Sequence, residues 1–572
     1  MNRAGAIRIT TLIGLLAFGS TAFADGHPKF TNSVYGTIHM VSAANPVASQ
    51  AGLDILEAGG TAMDAAVAVQ LVLNLVEPES SGIGGGAFLL YWDASEKKLV
   101  TYDGREKAPL SATPEYFQQE DGSAMKWSDA VTGGLSVGVP GTLKLLETAH
   151  KDHGIHPWKE LITPAIDLAQ SGFPVTEKLA ASIEAAAERG LKTFPEARDY
   201  FYDEDGNAVA TGTLLKNQPF ADALKMIAEE GSAPFYSGVI AESIVEAIKT
   251  ETNTGQMTME DLAAYEVIVR EPVCFPYRAY EVCGMGPPTS GGLTMGQILG
   301  ILSEFDLPAM GPSADAWHHI IEAAKLAYAD RAMYMADSDL VDMPEGLLDK
   351  DYLATRSALI DSAMTMGKAS AGTPPWDEAR LYSPDTQLEK PGTSHFSIID
   401  RYGNMVSITT TIETGFGSRV MTHGFLLNNE LTDFSFTAEI DGKPVANRVE
   451  GGKRPRSSMS PTIVFENGRP ILLTGSPGGS RIINYVTQSV IAILDWGMDP
   501  QDAVAMPHVV NRNGTTDLEE NTDAVDFQAD LEARGHELNI RELTSGLHTI
   551  LIDQFGYYGA ADPRREGMAV GR

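Results

Sequence analysis

The chain has 572 residues, 43% apolar and 21% charged, ordinary proportions for a globular protein that speak against disorder, collagen and coiled coil. Its formal charge of −34 repels phosphate backbones, so no nucleic-acid partner is expected; the acidity fits solubility in a saline or extracytoplasmic setting. Cys274 and Cys283, the two cysteines of the chain, are too few for a disulfide scaffold or a four-thiolate metal site. They read as buried small hydrophobes, with mutual pairing in an oxidising compartment as the alternative.

At roughly 150 residues per domain the length allows three or four units or one large layered domain. The chain opens with Arg3 and Arg8, an apolar run at Leu12, Ile13, Leu15, Leu16 and Phe18, and Ala22-Phe23-Ala24. This is the pattern of a signal peptide over 1–24, with an uncleaved anchor as the competing reading. No later segment has eighteen uninterrupted apolar residues, so the expectation is a periplasmic or secreted protein without a stable membrane anchor.

Asn45 to Pro78 predicts two helices. The first, with Val47, Ala51, Leu53, Ile55 and Leu56, stops at Gly59-Gly60. The second begins at Thr61 with Asp64 three residues on, a capping-box pattern, and is apolar nearly all round, hence buried. Ser80 to Gly86 is a glycine loop leading into a strand at Phe88–Trp92. Within it, Gly82-Ile83-Gly84-Gly85-Gly86-Ala87 matches a dinucleotide fingerprint by letter, but that fingerprint follows a strand and opens a helix; here the order is reversed, and the reading is a tight turn. Gly134-Leu135-Ser136-Val137-Gly138 fits a nucleophile elbow, but no buried strand precedes it and Pro140-Gly141 delays the following helix, so it too reads as a structural turn. His153/His156 and His318/His319 lack a metal-site context and read as surface or core histidines. No metal and no cofactor are expected.

Residues 372–392, with Thr373-Pro374-Pro375, Ser383-Pro384 and Lys390-Pro391-Gly392, read as an exposed linker. Period two then begins: Phe396 and Ile398, a turn at Tyr402-Gly403-Asn404, then Val406 and Ile408 predict a β-hairpin, and a second is expected at Thr462–Phe465 and Pro470–Leu473.

The boundary at Gly392-Thr393 carries the chemistry. A threonine hydroxyl is a weak nucleophile, and a free N-terminal threonine supplies its own amine as base, with an ordinary pKa of roughly 7.7–8.0. Before any cut the same hydroxyl can attack the Gly392 carbonyl. Thr411 lies eighteen residues on; the intervening turn prevents a same-face inference. Glu413, Glu430 and Asp433 are three carboxylates suited to a cationic amine. Ser457 and Ser458 supply hydroxyls, and the turn at Gly478-Gly479 has backbone N–H groups suited to an anion.

Taken together these segments resemble the γ-glutamyltransferase (γ-glutamyltranspeptidase, glutathione hydrolase) family over nearly all the chain beyond residue 24. The anchors are Glu77-Pro78 with Ser81–Gly86, Gly104-Arg105-Glu106, Val139-Pro140-Gly141, Pro287–Gly292, Thr393-Ser394-His395, Leu426–Glu430, Asp433-Phe434, Arg456–Thr462, Gly478-Gly479 and Ala561–Arg565. The resemblance implies an α/β fold, a four-layer αββα sandwich of the N-terminal-nucleophile hydrolase type with additional helices in the large subunit. It implies a proenzyme that cuts itself before Thr393 into associated subunits of residues 25–392 and 393–572. Thr393 would be the nucleophile and its amine the base, with Thr411 orienting the hydroxyl and Gly478 and Gly479 stabilising the oxyanion. Arg105, Ser457 and Ser458 would clamp the α-carboxylate of the substrate; Glu430, Asp433 and Glu413 would hold its α-ammonium. Substrates would be γ-glutamyl compounds such as glutathione, with water, amino acids or peptides as acceptors.

Two departures stand out. Many relatives carry Asn and Gln where this chain has Glu413 and Glu430, and Phe434–Arg456 has no tyrosine and looks shorter than the lid loop of some relatives, which predicts appreciable hydrolysis. The competing functions are a glutaryl-β-lactam acylase, a non-catalytic secreted binding protein and, more distantly, a serine hydrolase through Ser136.

Overall fold

The computed structural model describes residues 30–376, 381–387 and 389–572; the segment read as a signal peptide lies outside them. The two helices expected near the start form as Pro46–Glu57 and Ala62–Val76. Asn45 caps the first through the Val47 N–H. Thr61 and Asp64 cap the second reciprocally, as the spacing predicts. All fifteen residues of the second helix are buried, because other elements surround it.

Two seven-stranded sheets, antiparallel throughout, form the centre. One runs in the order Met568–Gly571, Met40–Ala43, Thr393–Ile399, Met405–Thr411, Gly86–Asp93, Lys98–Gly104, Ile268–Arg270. The other runs Val34–Gly36, Tyr557–Ala561, His548–Ile552, Arg469–Thr474, Thr462–Glu466, Tyr280–Gly284, Val273–Tyr277. Both hairpins expected late in the chain are therefore present. Each sheet interleaves strands from before and after residue 392, so the two halves fold as one unit.

Alternation along the Thr393 hairpin explains the layering. Phe396, Ile398, Val406 and Ile408 pack with the Ala62–Val76 helix in one apolar core. The polar residues between them do not meet water. Ser397 Oγ donates to the His548 carbonyl at 3.0 Å and Ser407 Oγ to the Thr474 carbonyl at 3.3 Å, both across to the second sheet. Every residue of both hairpin strands is buried. The helices Gly291–Leu302 and Ile482–Leu494 close the far face of the second sheet, and Ala314–Tyr334 joins the same core. The result is the expected αββα sandwich.

Two expectations are corrected. Cys274 and Cys283 are not separate buried thiols: they face each other across the hairpin Val273–Tyr277/Tyr280–Gly284 and form a disulfide. Sequence spacing alone does not show that the two positions are cross-strand partners. The stretch 372–392 is not simply an exposed linker either. Ser383, Asp385 and Glu389 are buried, while Pro384, Thr386 and Lys390 remain exposed, so one side of the strap is threaded into the protein by its acids.

Candidate active site

Thr393 and Thr411 are directly paired across the hairpin. The Thr393 hydroxyl donates to Thr411 Oγ1 at 3.4 Å. Thr411 Oγ1 accepts the Glu413 N–H at 2.8 Å and donates to the Gly392 carbonyl at 2.7 Å. One threonine hydroxyl thus polarises the carbonyl of the Gly392–Thr393 peptide while the other sits beside it. Gly392 fits only as glycine: a Cβ there would lie 2.2 Å from the Glu413 carbonyl oxygen. Below the strand, Ser394 Oγ donates to Glu77 Oε2 at 2.8 Å, and Lys178 Nζ holds Glu77 Oε1 at 2.6 Å.

Thr393 and Thr411 border a cavity that also receives Arg105, Glu413, Glu430, Asp433, Ser457, Ser458 and Gly479. Of the residues expected at the site, Gly392 and Gly478 do not line it. Gly478 lies behind, against the Tyr485 ring, and Gly479, at φ 59°, abuts the backbone of Glu389 and Lys390. The glycine loop reads correctly as a brace: the Gly84 carbonyl accepts from the backbone and side chain of Asn428 at 3.0 and 2.8 Å, fixing the turn that presents Glu430. Ser457 is held from behind by Ser290, whose N–H donates to the Ser457 carbonyl at 2.8 Å.

The charges are arranged differently from the expectation of a cation opposite carboxylates. Arg105 is in direct contact with the acids. Its Nη1 bonds Glu430 Oε1, its Nη2 donates to Asp433 Oδ2 at 2.6 Å, and Nε reaches the Pro455 carbonyl at 3.1 Å. A buried guanidinium needs counter-charge, and Glu430 and Asp433 supply it by direct contact. Burial pushes the Glu413, Glu430 and Asp433 carboxyls well above the ordinary carboxylate range, with Asp433 adding to Glu413 and Glu106 adding to Glu430, while Arg105 pulls Glu430 and Asp433 back only in part. Glu106, which the sequence reading quoted without giving it a role, stands 3.8 Å from Arg105 and is pushed up to about 7, chiefly by burial. Glu430 Oε2, Asp433 Oδ1 and both Glu106 oxygens are buried acceptors without a donor. Three acids, Glu106, Glu430 and Asp433, share Arg105, while Glu413 accepts from Asn429 Nδ2 at 2.6 Å, so acids outnumber the buried cation here.

Glu389, Lys390, Met459 and Ile482 also line the cavity, and sequence reasoning missed them. Glu389 was concealed by its place in a proline-rich stretch. To a water-sized sphere the cavity offers about 20 Å³, room for about one water.

The remaining motifs have structural explanations. Ser136 is buried and donates to the Val131 and Gly133 carbonyls at 2.8 and 3.1 Å, a turn rather than an elbow. His153 stacks on Tyr91. His318 meets His536 at 2.7 Å, and the neighbouring Glu322 is neutralised by Lys325 at 2.8 Å.

A sequence model described as γ-glutamyltranspeptidase matches residues 48–572. The chain belongs to the γ-glutamyltranspeptidase family. It is thus an enzyme-family member, as the motifs imply. A glutathione hydrolase proenzyme of Bacillus subtilis (strain 168) is 38% identical over 592 aligned residues, covering 100% of this chain and 99% of that relative. Among solved structures, a cephalosporin acylase from Bacillus halodurans superposes with a TM-score of 0.83 at 29% identity, covering 97% of this chain and 99% of that one. A Helicobacter pylori γ-glutamyltranspeptidase matches at 0.55 and 36%, covering 59% and 95%. The family assignment and the αββα architecture therefore agree.

Proposed function

We propose that this chain is an exported γ-glutamyltransferase and glutathione hydrolase that activates itself by cutting between Gly392 and Thr393. The observation that carries the reading is the Thr411 hydroxyl donating to the Gly392 carbonyl while it accepts from Thr393. Thr393 Oγ1 attacks the Gly392 carbonyl carbon, the C–N bond breaks, and the hydroxyl proton passes to the departing Thr393 nitrogen. Water then hydrolyses the resulting ester, giving a Gly392 carboxylate and a free Thr393 amine.

In the cut enzyme the Thr393 amine takes the proton of its own hydroxyl as the oxygen attacks the γ-amide of a donor such as glutathione. The N–H group of Gly479, which lines the cavity, receives the developing oxyanion. The amine proton goes to the leaving nitrogen, and the γ-glutamyl ester passes to water or to an amino acid or peptide. Glu413, Glu430 and Asp433, pushed towards neutrality by burial, ionise fully when the α-ammonium of the donor arrives, and Ser457, Ser458 and Arg105 face its α-carboxylate.

A second reading is favoured by the similarity to the cephalosporin acylase: hydrolysis of a glutaryl amide. Such an acyl group has no ammonium and leaves the buried acids unmatched, so the γ-glutamyl donor is preferred. Intact masses of the wild type and Thr393→Ala, with rates on γ-glutamyl and glutaryl p-nitroanilides, test both. Two wild-type fragments, an uncut variant and a γ-glutamyl preference are expected; an uncut, folded wild type rejects the self-cutting mechanism, and a glutaryl preference rejects the donor.

A further inference from the structure

The strand Thr393–Ile399 pairs along its whole length with Met405–Thr411, but Met40–Ala43 on its other edge reaches only Phe396–Ile399. Among the described residues, 393–395 thus have a strand partner on one edge alone, and the proposed nucleophile ends that half-supported stretch. Its carbonyl goes to a side chain from the far end of the chain. Arg565 Nη1 donates to the Thr393 carbonyl at 3.2 Å, and Nε donates to the Ser545 carbonyl at 3.0 Å. The arginine stem lies against Gly546, where a Cβ would come within 2.8 Å of Arg565 Cδ and 2.7 Å of Pro477. Its backbone is tied as well: the Arg565 N–H donates to the Asp562 carbonyl at 3.3 Å, and the buried Asp562 carboxylate accepts from the Ser545 hydroxyl and, at 3.2 Å, from the Leu547 N–H. The same guanidinium supports the next residue. Burial pushes the Glu77 carboxyl up, and Lys178 and Arg565 together pull it below the ordinary range, so it remains an ionised acceptor for Ser394 Oγ.

We propose that Arg565 is a positioning residue of the mature enzyme: it holds the first residue of the cut strand by its carbonyl, so that the Thr393 hydroxyl and amine stay against Thr411 and the cavity. This rests on the reading above that the chain is cut after Gly392. In the uncut chain Thr393 is held from both sides. The Gly392 carbonyl accepts from Thr411 Oγ1 at 2.7 Å, and the strap before it is tied down by Asp385 on Arg456 at 2.9 Å. The cut severs Thr393 from that anchorage and makes it a chain end. Chain ends fray unless they are tied down, and a displacement of about 1 Å in a reacting group costs about 10²-fold in rate. Arg565 does not line the cavity. It acts through the Thr393 backbone and, by way of Glu77, through Ser394, and its weight falls on turnover rather than on cutting.

The test compares wild type with Arg565→Ala. Self-cutting of the variant, followed on denaturing gels, should stay within about threefold of wild type, whereas kcat of the cut enzyme on γ-glutamyl p-nitroanilide should fall about 10²-fold with KM within about twofold. Added guanidinium ion fits the vacated place and should raise turnover of the variant about tenfold while leaving wild type unchanged; urea, planar but uncharged, should not. An arginine needed only for the fold would lower cutting and turnover together and ignore guanidinium. Equal losses in the two steps, unchanged turnover, a loss carried by KM, or no response to guanidinium therefore overturns the proposal. A second measurement needs no substitution at 565: amide hydrogen exchange of residues 394–396 in cut wild type against the uncut Thr393→Ala precursor. Protection should be alike in both; exchange about tenfold faster or more after the cut would show the strand end fraying in spite of Arg565, and also overturns it. A folded wild type that stays uncut instead rejects the functional reading, and this proposal with it; every other outcome is read only after the cut has been seen, so the two failures are distinct.

Discussion

Thr393 and Thr411 face each other as a cross-strand pair, their hydroxyl oxygens 3.4 Å apart, with the Gly392 carbonyl on the second hydroxyl at 2.7 Å. Thr411 therefore holds one hydrogen bond to the proposed nucleophile and another to the carbonyl under attack. Replacing it by valine keeps the β-branched shape and removes both. Thr411→Val should slow fragment formation by about 10²–10³-fold, the usual loss for a donor to a developing oxyanion, and Thr411→Ser should retain most of the rate. A time course on denaturing gels checks this; equal rates for valine and serine would show the hydroxyl to be idle.

Arg105 is the counter-charge of Glu430 and Asp433, all three buried. Removing one partner from such a set leaves uncompensated charge and typically costs about 3–5 kcal/mol. In the Thr393→Ala background, where processing cannot confuse the reading, Arg105→Met should be destabilised by this order in urea at pH 8. The loss should shrink towards pH 5 as the acids take up protons.

Glu106 gives a pH dependence of stability with an unusual sign. Its carboxyl is raised from an ordinary 4.5 to about 7, chiefly by burial. The folded chain then holds a proton that the unfolded chain releases between about pH 4.5 and 7, so this group lowers stability as pH rises through that window. Glu106→Gln removes the titration. Relative to Thr393→Ala, the double variant should gain little at pH 4.5 and on the order of 3 kcal/mol above pH 7. Denaturant midpoints across that range measure it; a pH-independent difference would contradict the assignment.

The Cys274–Cys283 bond closes a short loop, with nine residues of sequence separation. Cross-links of this size constrain the unfolded chain by roughly 2–3 kcal/mol. Cys274→Ser with Cys283→Ser should lower the melting temperature under oxidising conditions, and reductant should lower the wild type towards the variant while leaving the variant unchanged.

Much of the architecture was legible in the chain because it rests on local chemistry. The Thr61/Asp64 cap, the all-round apolar Ala62–Val76 helix and the two late hairpins each announce themselves within a few residues. The order helix, glycine loop, strand was enough to set aside a nucleotide fingerprint at Gly82–Ala87. Thr393, Thr411, Glu413, Glu430, Asp433, Ser457 and Ser458, picked out by residue type and motif, do converge on one cavity. Gly478 does not line it, because a residue's neighbours in sequence do not fix which backbone atoms turn inward.

Period-two alternation specified the hairpin but not that its polar face would be buried. Ser397 and Ser407 read like solvent-facing residues, and only the second sheet makes them interior. The same holds for the strap: its prolines and charges are those of an exposed linker, yet Asp385 and Glu389 are drawn inside by arginines 58 to 71 positions away in the chain, Arg331 with Arg456 on either side.

By itself, then, the sequence determined two early helices, two late hairpins and a set of side chains able to carry acyl transfer, because these follow from capping, periodicity and functional-group chemistry within short spans; the αββα class came from the family resemblance carried by its motifs. Tertiary structure alone decided that Cys274 meets Cys283, that Arg105 lies against Glu430 and Asp433, and that Glu389 occupies the pocket between Arg331 and Arg456. Those are pairings between distant segments, and a buried charge selects its partner by proximity in the folded core, a quantity that no local pattern encodes.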